Sequence, residues 1–156
     1  MEKQVKEGIA AAGKKPEKEK LLNLPENMAK IGGSIYRQDS RSVWIDVSSK
    51  DIMKALDIVR EATPRISDLS VYDDGKRFFE VMYTFVIGNR QLTIRTRTSR
   101  SAPGLPTCTR LFPGALFFER EQFEMFGIVF EGHPRMERLL YAGNTPKEPL
   151  KKEGTA

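Results

Sequence analysis

The sequence predicts an α+β fold: an antiparallel sheet backed by helices, with elements in the order strand, helix, then three strands as a meander. Three observations carry that expectation. Val43, Ile45 and Val47 alternate with Trp44 and Asp46, the period of a half-buried strand. Ile52, Ala55, Leu56 and Val59 follow the i, i+3, i+4, i+7 spacing of a helix lying on a sheet. Two β-branched and aromatic runs, 78–87 and 91–98, meet at Gly88-Asn89, which reads as a hairpin.

In chain order, residues 1–30 are rich in Lys, Glu, Ala and Gly and hold few large apolar groups, so they are expected to be a mobile charged tail. Leu21-Leu22-Asn23-Leu24-Pro25 is its best anchor should it order on a partner, and Gly32-Gly33 marks a turn into the folded domain, 31–140. Strand 43–47 opens that domain. Ser48 or Ser49 caps a helix over 50–62, with Asp51 facing the positive end of its dipole, and Thr63-Pro64 stops it. Residues 66–72 form a short strand ending at Asp73-Asp74-Gly75, where glycine tolerates the backbone of a tight turn. The hairpin follows, and a helix over 111–126 closes the sheet: Pro113 suits its first turn and Gly127 the left-handed residue past its end. Residues 141–156 are expected to be a second tail, like the first disordered or ordered by a partner.

Composition removes several classes of function. At 156 residues the chain can bury one real core but not two comfortable domains. The opening residues lack an apolar leader core, and no uncharged run approaches the roughly 20 apolar residues of a membrane span. One cysteine, Cys108, excludes an internal disulfide and any Cys-x-x-Cys zinc or iron–sulfur site within one chain. Neither a dinucleotide nor an NTP loop motif is present. The net charge of +5 permits an acidic protein, an anionic surface or nucleic acid as partner without choosing among them.

Two features of the predicted 111–126 helix stand out. On a helical wheel Leu116, Phe123 and Phe126 share one face, and Phe118 and Met125 lie nearly opposite, so the helix is covered on two sides. Glu119 falls inside the apolar stripe, while Arg120, Glu121 and Glu124 share a polar flank. A buried carboxylate needs a partner. The expected one is a structural ion pair with Arg110 or Arg138; the alternative is a charge whose pairing is completed on another protein. A second basic feature lies on the 91–98 strand, where alternation sends Arg95 and Arg97 to one face in a stretch without acids. That face is solvated, neutralises an acidic partner or Glu119, or tracks phosphates as RNA-binding sheets do, although no RNP-like run supports the last.

The single histidine, His133, sits between Gly132 and Pro134 in a rigid turn and has no nucleophile beside it. The nearby Glu119, Glu121, Glu124 and Glu131 lack the paired Glu-x-x-His spacing that sets metal ligands on one helical face. A structural or interface hydrogen bond is its expected role. No catalytic, cofactor-binding or metal-ligating residue is expected in this chain.

Pro113-Gly114-Ala115, Glu119-Arg120-Glu121, Glu124-Met125-Phe126-Gly127-Ile128 and Phe130-Glu131-Gly132-His133-Pro134, in ungapped spacing, resemble the signature of the C subunit of NADH dehydrogenase, the thirty-kilodalton subunit family of respiratory complex I. The resemblance covers roughly residues 42–140. It implies an accessory subunit without a redox centre, held in the hydrophilic arm beside a large catalytic subunit and a small iron–sulfur subunit. It implies that Glu119, Arg120, Glu121, Phe123, Glu124, Gly127, Phe130, His133, Pro134 and Arg138 shape the helix, its exit turn and the interface with the large subunit.

The chain departs from the pattern at Glu124, where the family commonly has Asp, at Glu137, where it has a basic residue, and after Tyr141, where it has an acidic, Trp-containing segment. Those departures look more like the short version in archaeal membrane-bound energy-converting hydrogenases and their sulfur-reducing relatives. The resemblance then implies a nickel–iron centre and iron–sulfur clusters in partner subunits, and a peripheral place on the cytoplasmic side of the membrane, reached only through those partners. The C subunit of an NADH-, ferredoxin- or F420-type quinone oxidoreductase is the nearer alternative. An RNA-binding sheet domain is the alternative of another class, and nucleic acid is not expected as a partner.

Overall fold

The computed structural model describes residues 17–141 and 143–153, with 17–22 described as helical backbone only. Three helices and seven strands follow the order α1 (Glu17–Lys30), β1 (Ser34–Gln38), β2 (Ser42–Asp46), α2 (Ile52–Ala62), β3 (Asp68–Asp73), β4 (Phe78–Ile87), β5 (Arg90–Ser99), β6 (Gly104–Pro106), α3 (Ala115–Phe126) and β7 (Val129–Glu131). The predicted α+β class, the meander and both sheet-backing helices are present.

The large sheet has the strand order β1-β2-β5-β4-β3. It is mixed and not wholly antiparallel, because β2 pairs parallel with β5. The connectivity explains this. After β2, α2 carries the chain across to the far edge, and a strand–helix–strand crossover of this kind starts the next strand in the same direction as the last. The meander β3-β4-β5 then reverses twice, so β5 returns beside β2 pointing the same way. A separate two-stranded ladder, β6 with β7, is also parallel.

α2 buries the predicted positions Ile52, Ala55, Leu56 and Val59 against the sheet residues Val43, Ile45, Val81, Phe85, Leu92 and Ile94. Its N-cap is Asp51 without a side-chain cap bond; the Ser48 hydroxyl accepts from Lys50 N–H in the preceding turn at 3.3 Å and does not cap the helix. α3 begins at Ala115, later than the expected residue 111, because residues 108–113 form a tight turn in which Phe112 N–H bonds to the Cys108 carbonyl at 2.9 Å. Its end is as expected. Gly127 is left-handed at φ 76° and its N–H bonds back to Phe123.

Both expected tails need correction where the structure describes them. Residues 1–16 lie outside the described residues. From Glu17 the chain is helical, and Leu24 and Met28, one turn apart, are buried in the core, an i, i+4 pair too sparse to stand out among charged neighbours. Gly32 makes the predicted turn at φ 81°, but it leads into β1, a strand on the sheet edge whose residues are all exposed and which therefore carries no alternation signal. At the other end, the chain after Tyr141 folds back on the domain: Leu150 N–H bonds to the Met125 carbonyl at 3.1 Å and Lys152 N–H to Asp73 at 2.8 Å.

Candidate functional site

The motif residues converge on α3 and the chain that leaves it. Glu119 has no exposed surface, as its place in the apolar stripe predicts. The expected ion pair with Arg110 or Arg138 is absent. Its partners are neutral donors: the Thr107 hydroxyl donates to Oε2 at 2.6 Å and the Cys108 backbone N–H to Oε1 at 2.7 Å. Those donors are brought there by the β6–β7 ladder, in which Thr107 N–H bonds to the Glu131 carbonyl at 2.9 Å. A carboxylate can be held by a hydroxyl and an amide at lower desolvation cost than by burying a second charge. Burial raises the Glu119 pKa, against the opposing bonds from Thr107 and Cys108 and the attraction of His133. Burial first, then the Glu119 charge, also pushes the Cys108 thiol well up, which favours its neutral form.

Arg120 and Glu124 occupy the predicted polar flank, yet both are buried. Their cover is the segment after the motif. Arg120 donates through Nε to the Glu137 carbonyl at 3.1 Å and through a terminal nitrogen to the Arg138 carbonyl at 2.8 Å. Glu124 accepts three successive backbone N–H groups, from Leu139, Leu140 and Tyr141, at 2.9, 2.7 and 2.9 Å. Its desolvation raises the pKa, but the three backbone bonds and Arg138 outweigh it and leave the group below the ordinary Glu value. Arg138 continues the strap by donating to the Thr145 and Pro146 carbonyls.

His133 is a structural hydrogen-bonder. Its Nδ1 accepts from Arg135 N–H at 3.0 Å, so Nε2 carries the proton and donates to the Leu116 carbonyl, also at 3.0 Å. Gly132 makes the turn before it at φ 83°, Phe130 is buried in the core, and Pro134 is exposed. Gly127 is close to the strap: a Cβ there would run into the Glu148 carboxylate. Phe123 and Glu121 are half-buried, and Phe117, one turn before Glu121, is 58% exposed. α3 is therefore held by the core along Ala115, Glu119, Gln122 and Phe126 and by the strap along Arg120 and Glu124. The remaining strip, Phe117 and Glu121, faces outward.

Arg95 and Arg97 of β5 do not meet Glu119: both pair with acids of neighbouring strands, Arg95 nearly buried and Arg97 still open to solvent. Arg95 makes a two-bond pair with Asp46 at 2.7 and 2.6 Å, reaches Glu80 at 3.4 Å and lies 3.7 Å under the Tyr36 ring. Arg97 pairs with Glu80 at 2.6 Å, and Arg100 with the buried Asp73 at 2.9 Å. Sequence reading missed Asp46 and Glu80 as partners because they lie outside the acid-free stretch. The available signal was alternation, which sets Asp46, Arg95 and Glu80 on one face of adjacent strands. It also missed Thr107, and Gln122, whose amide donates to the Leu69 carbonyl at 2.9 Å and ties α3 to β3. Among the described residues no group of three or more His, Cys, Asp or Glu could hold a metal, and no helix is long and apolar enough to cross a membrane.

Fold and site define an α+β domain organised by a helix whose charged motif grips the chain that follows it. The family is the respiratory-chain NADH dehydrogenase 30 Kd subunit family, to which this chain belongs: the family model matches residues 45–156. The C/D subunit of the NADH-quinone oxidoreductase of Acinetobacter baylyi is 31% identical over 149 residues, covering 85% of this chain and 25% of that protein. The C subunit of the same enzyme in Roseiflexus castenholzii is 42% identical over 77 residues, 48% of this chain and 44% of that one. The chain thus spans less than half the length of these curated relatives. Among solved structures, a trypsin-resistant fragment of Nqo5 superposes with TM-score 0.63 at 27% identity, over 76% of this chain and 98% of that one. A chain of the membrane-bound sulfane sulfur reductase, an archaeal respiratory membrane complex, superposes with TM-score 0.69 over 88% of this chain and 82% of its own, and at 22% identity shares the fold.

Proposed function

We propose that this chain is an accessory subunit of a complex I-related membrane-bound oxidoreductase, docked through the outer strip of α3 and its exit turn on the large catalytic subunit. The observation that carries this reading is the family match over residues 45–156 on a helix whose buried charges all serve the chain's own structure. Glu119, Arg120 and Glu124 are consumed in positioning, so their role toward a partner is to present Phe117 and Glu121 on a rigid backbone. In this reading the redox chemistry, a nickel–iron centre or its counterpart and iron–sulfur clusters, belongs to the partner subunits, and the chain meets the membrane only through them.

We place an energy-converting hydrogenase or sulfur-reducing assembly first, supported by the departures from the family pattern at Glu124, at Glu137 and after Tyr141. A quinone-reducing assembly is the second reading, favoured by the relatives at 31% and 42% identity, which are NADH-quinone oxidoreductase subunits. Isolation of the tagged chain from native membranes in mild detergent tests both. A large and a small iron-containing subunit should accompany it, and the cysteine ligands of the large one separate the two readings. Recovery of the chain alone, or with stoichiometric iron or flavin of its own, would overturn the proposal.

A further inference from the structure

The five-stranded sheet is covered by helices on one face only. Val43, Ile45, Val81, Tyr83, Leu92 and Ile94 are buried on the helix side. On the other side the strand register lines up Trp44, Thr93 and Thr84 in one row, Asp46, Arg95 and Met82 in the next, and Arg97, Glu80 and Tyr72 in a third. Tyr36, Tyr72 and Val86 on this face are 58%, 53% and 54% exposed. Together with Trp44, Met82 and Arg95, Tyr36 and Tyr72 line a shallow concavity of about 310 Å³. Exposed aromatics around a desolvated arginine are the composition of a protein-binding centre.

The charges choose the occupant. At the centre, Arg95 is already held by Asp46 and Glu80, so an incoming phosphate would have to displace a carboxylate, and a nucleic acid is disfavoured. At the Tyr72 corner the balance is different. Glu80 is shared between Arg95 and Arg97, and the Lys152 ammonium sits 4.7 Å over the Tyr72 ring with no ion pair to a carboxylate among the described residues. Counting Asp46 at the centre, three cations, Arg95, Arg97 and Lys152, share two acids, Asp46 and Glu80. On the far rim Arg37 is balanced by Asp39 at 3.9 Å.

We infer that this open sheet face is a second docking surface, taken by a neighbouring protein of the assembly that sets an aromatic or long aliphatic side chain in the concavity and a carboxylate against Arg97 and Lys152. The inference rests on the reading of the chain as a subunit. It makes the domain a bridge, gripped on α3 from one side and on the sheet from the other.

The test places a photoreactive residue at Tyr36, Tyr72 or Val86, and separately at Phe117, in the tagged full-length chain assembled in its native host, and sequences the crosslinked peptides. The expected result is adducts from both sides to different peptides, those from the sheet face containing Asp or Glu beside an aromatic or long aliphatic residue. Lys152→Glu should lower the Tyr72 adduct about fivefold or more, with Lys152→Arg restoring it and the melting curve unchanged in both. Adducts at Phe117 alone, sheet-face adducts to RNA or to a second copy of this chain, or indifference to Lys152→Glu would overturn the inference while leaving the α3 docking intact. Sheet-face adducts without one at Phe117 would keep this surface and overturn the α3 docking. Absence of every adduct would defeat both.

Discussion

Glu119 and Glu124 are neighbours on one helix, both buried, and their pKa values move in opposite directions. The reason is how deeply each one is buried: desolvation outweighs the hydrogen bonds at Glu119 and is outweighed by them at Glu124. Glu124 gathers three backbone N–H groups, whereas Glu119 has a hydroxyl and one N–H in a drier place. The linkage signs follow. Glu124, depressed, contributes stability that is present above the unfolded Glu value of about 4.3 and lost as pH falls through its folded value. Glu119, raised, contributes stability that is full below about 4.3 and lost as pH rises through its folded value. In urea titrations between about pH 3 and 6, Glu124→Gln should therefore flatten the acid loss of stability, and Glu119→Gln should steepen it. Parallel curves for the two variants would show that the donors are misassigned. Glu119→Gln should also cost about 1–3 kcal/mol at neutral pH, since its amide presents N–H to a donor already there. The burial of Glu119 was legible from its place on the wheel. Its partner was not, because Thr107 and Cys108 reach it through the β6–β7 ladder, and two three-residue strands leave no periodicity to read.

At the scale of elements, α3 and the strap after it form one unit. Charge reversal at Glu124 frees three N–H groups, so Glu124→Lys should raise hydrogen exchange at Leu139, Leu140 and Tyr141 while β4 and β5 stay protected; unchanged exchange in the strap would contradict the contacts. Gly127→Ala should cost about 1 kcal/mol or more, read as a lower urea midpoint, because alanine is strained at a positive φ and its methyl meets Glu148. The meander and α2 were legible because their apolar periods are long and clean. Less visible were α1, with one buried pair in a charged helix, and β1, exposed at every position. The parallel β2–β5 pairing is set by how far α2 carries the chain, and a residue pattern does not encode that distance.

On the scale of the whole molecule, the helices and the sheet's open face point in opposite directions, and the chain's own charges are largely spent between them. Arg95 illustrates the cost of that economy: Arg95→Ala would leave Asp46 and Glu80 facing each other, partly exposed, and should lower the stability of the isolated chain by about 1–3 kcal/mol. What remains for a partner on the α3 side is Phe117 with Glu121. The central claim is tested most directly by the Phe117→Glu, Glu121→Arg double variant, comparing recovery of the assembled membrane complex with the melting temperature of the isolated chain. Recovery should fall about tenfold or more with the melting temperature essentially unchanged. Full recovery of the complex with this variant would contradict docking through α3.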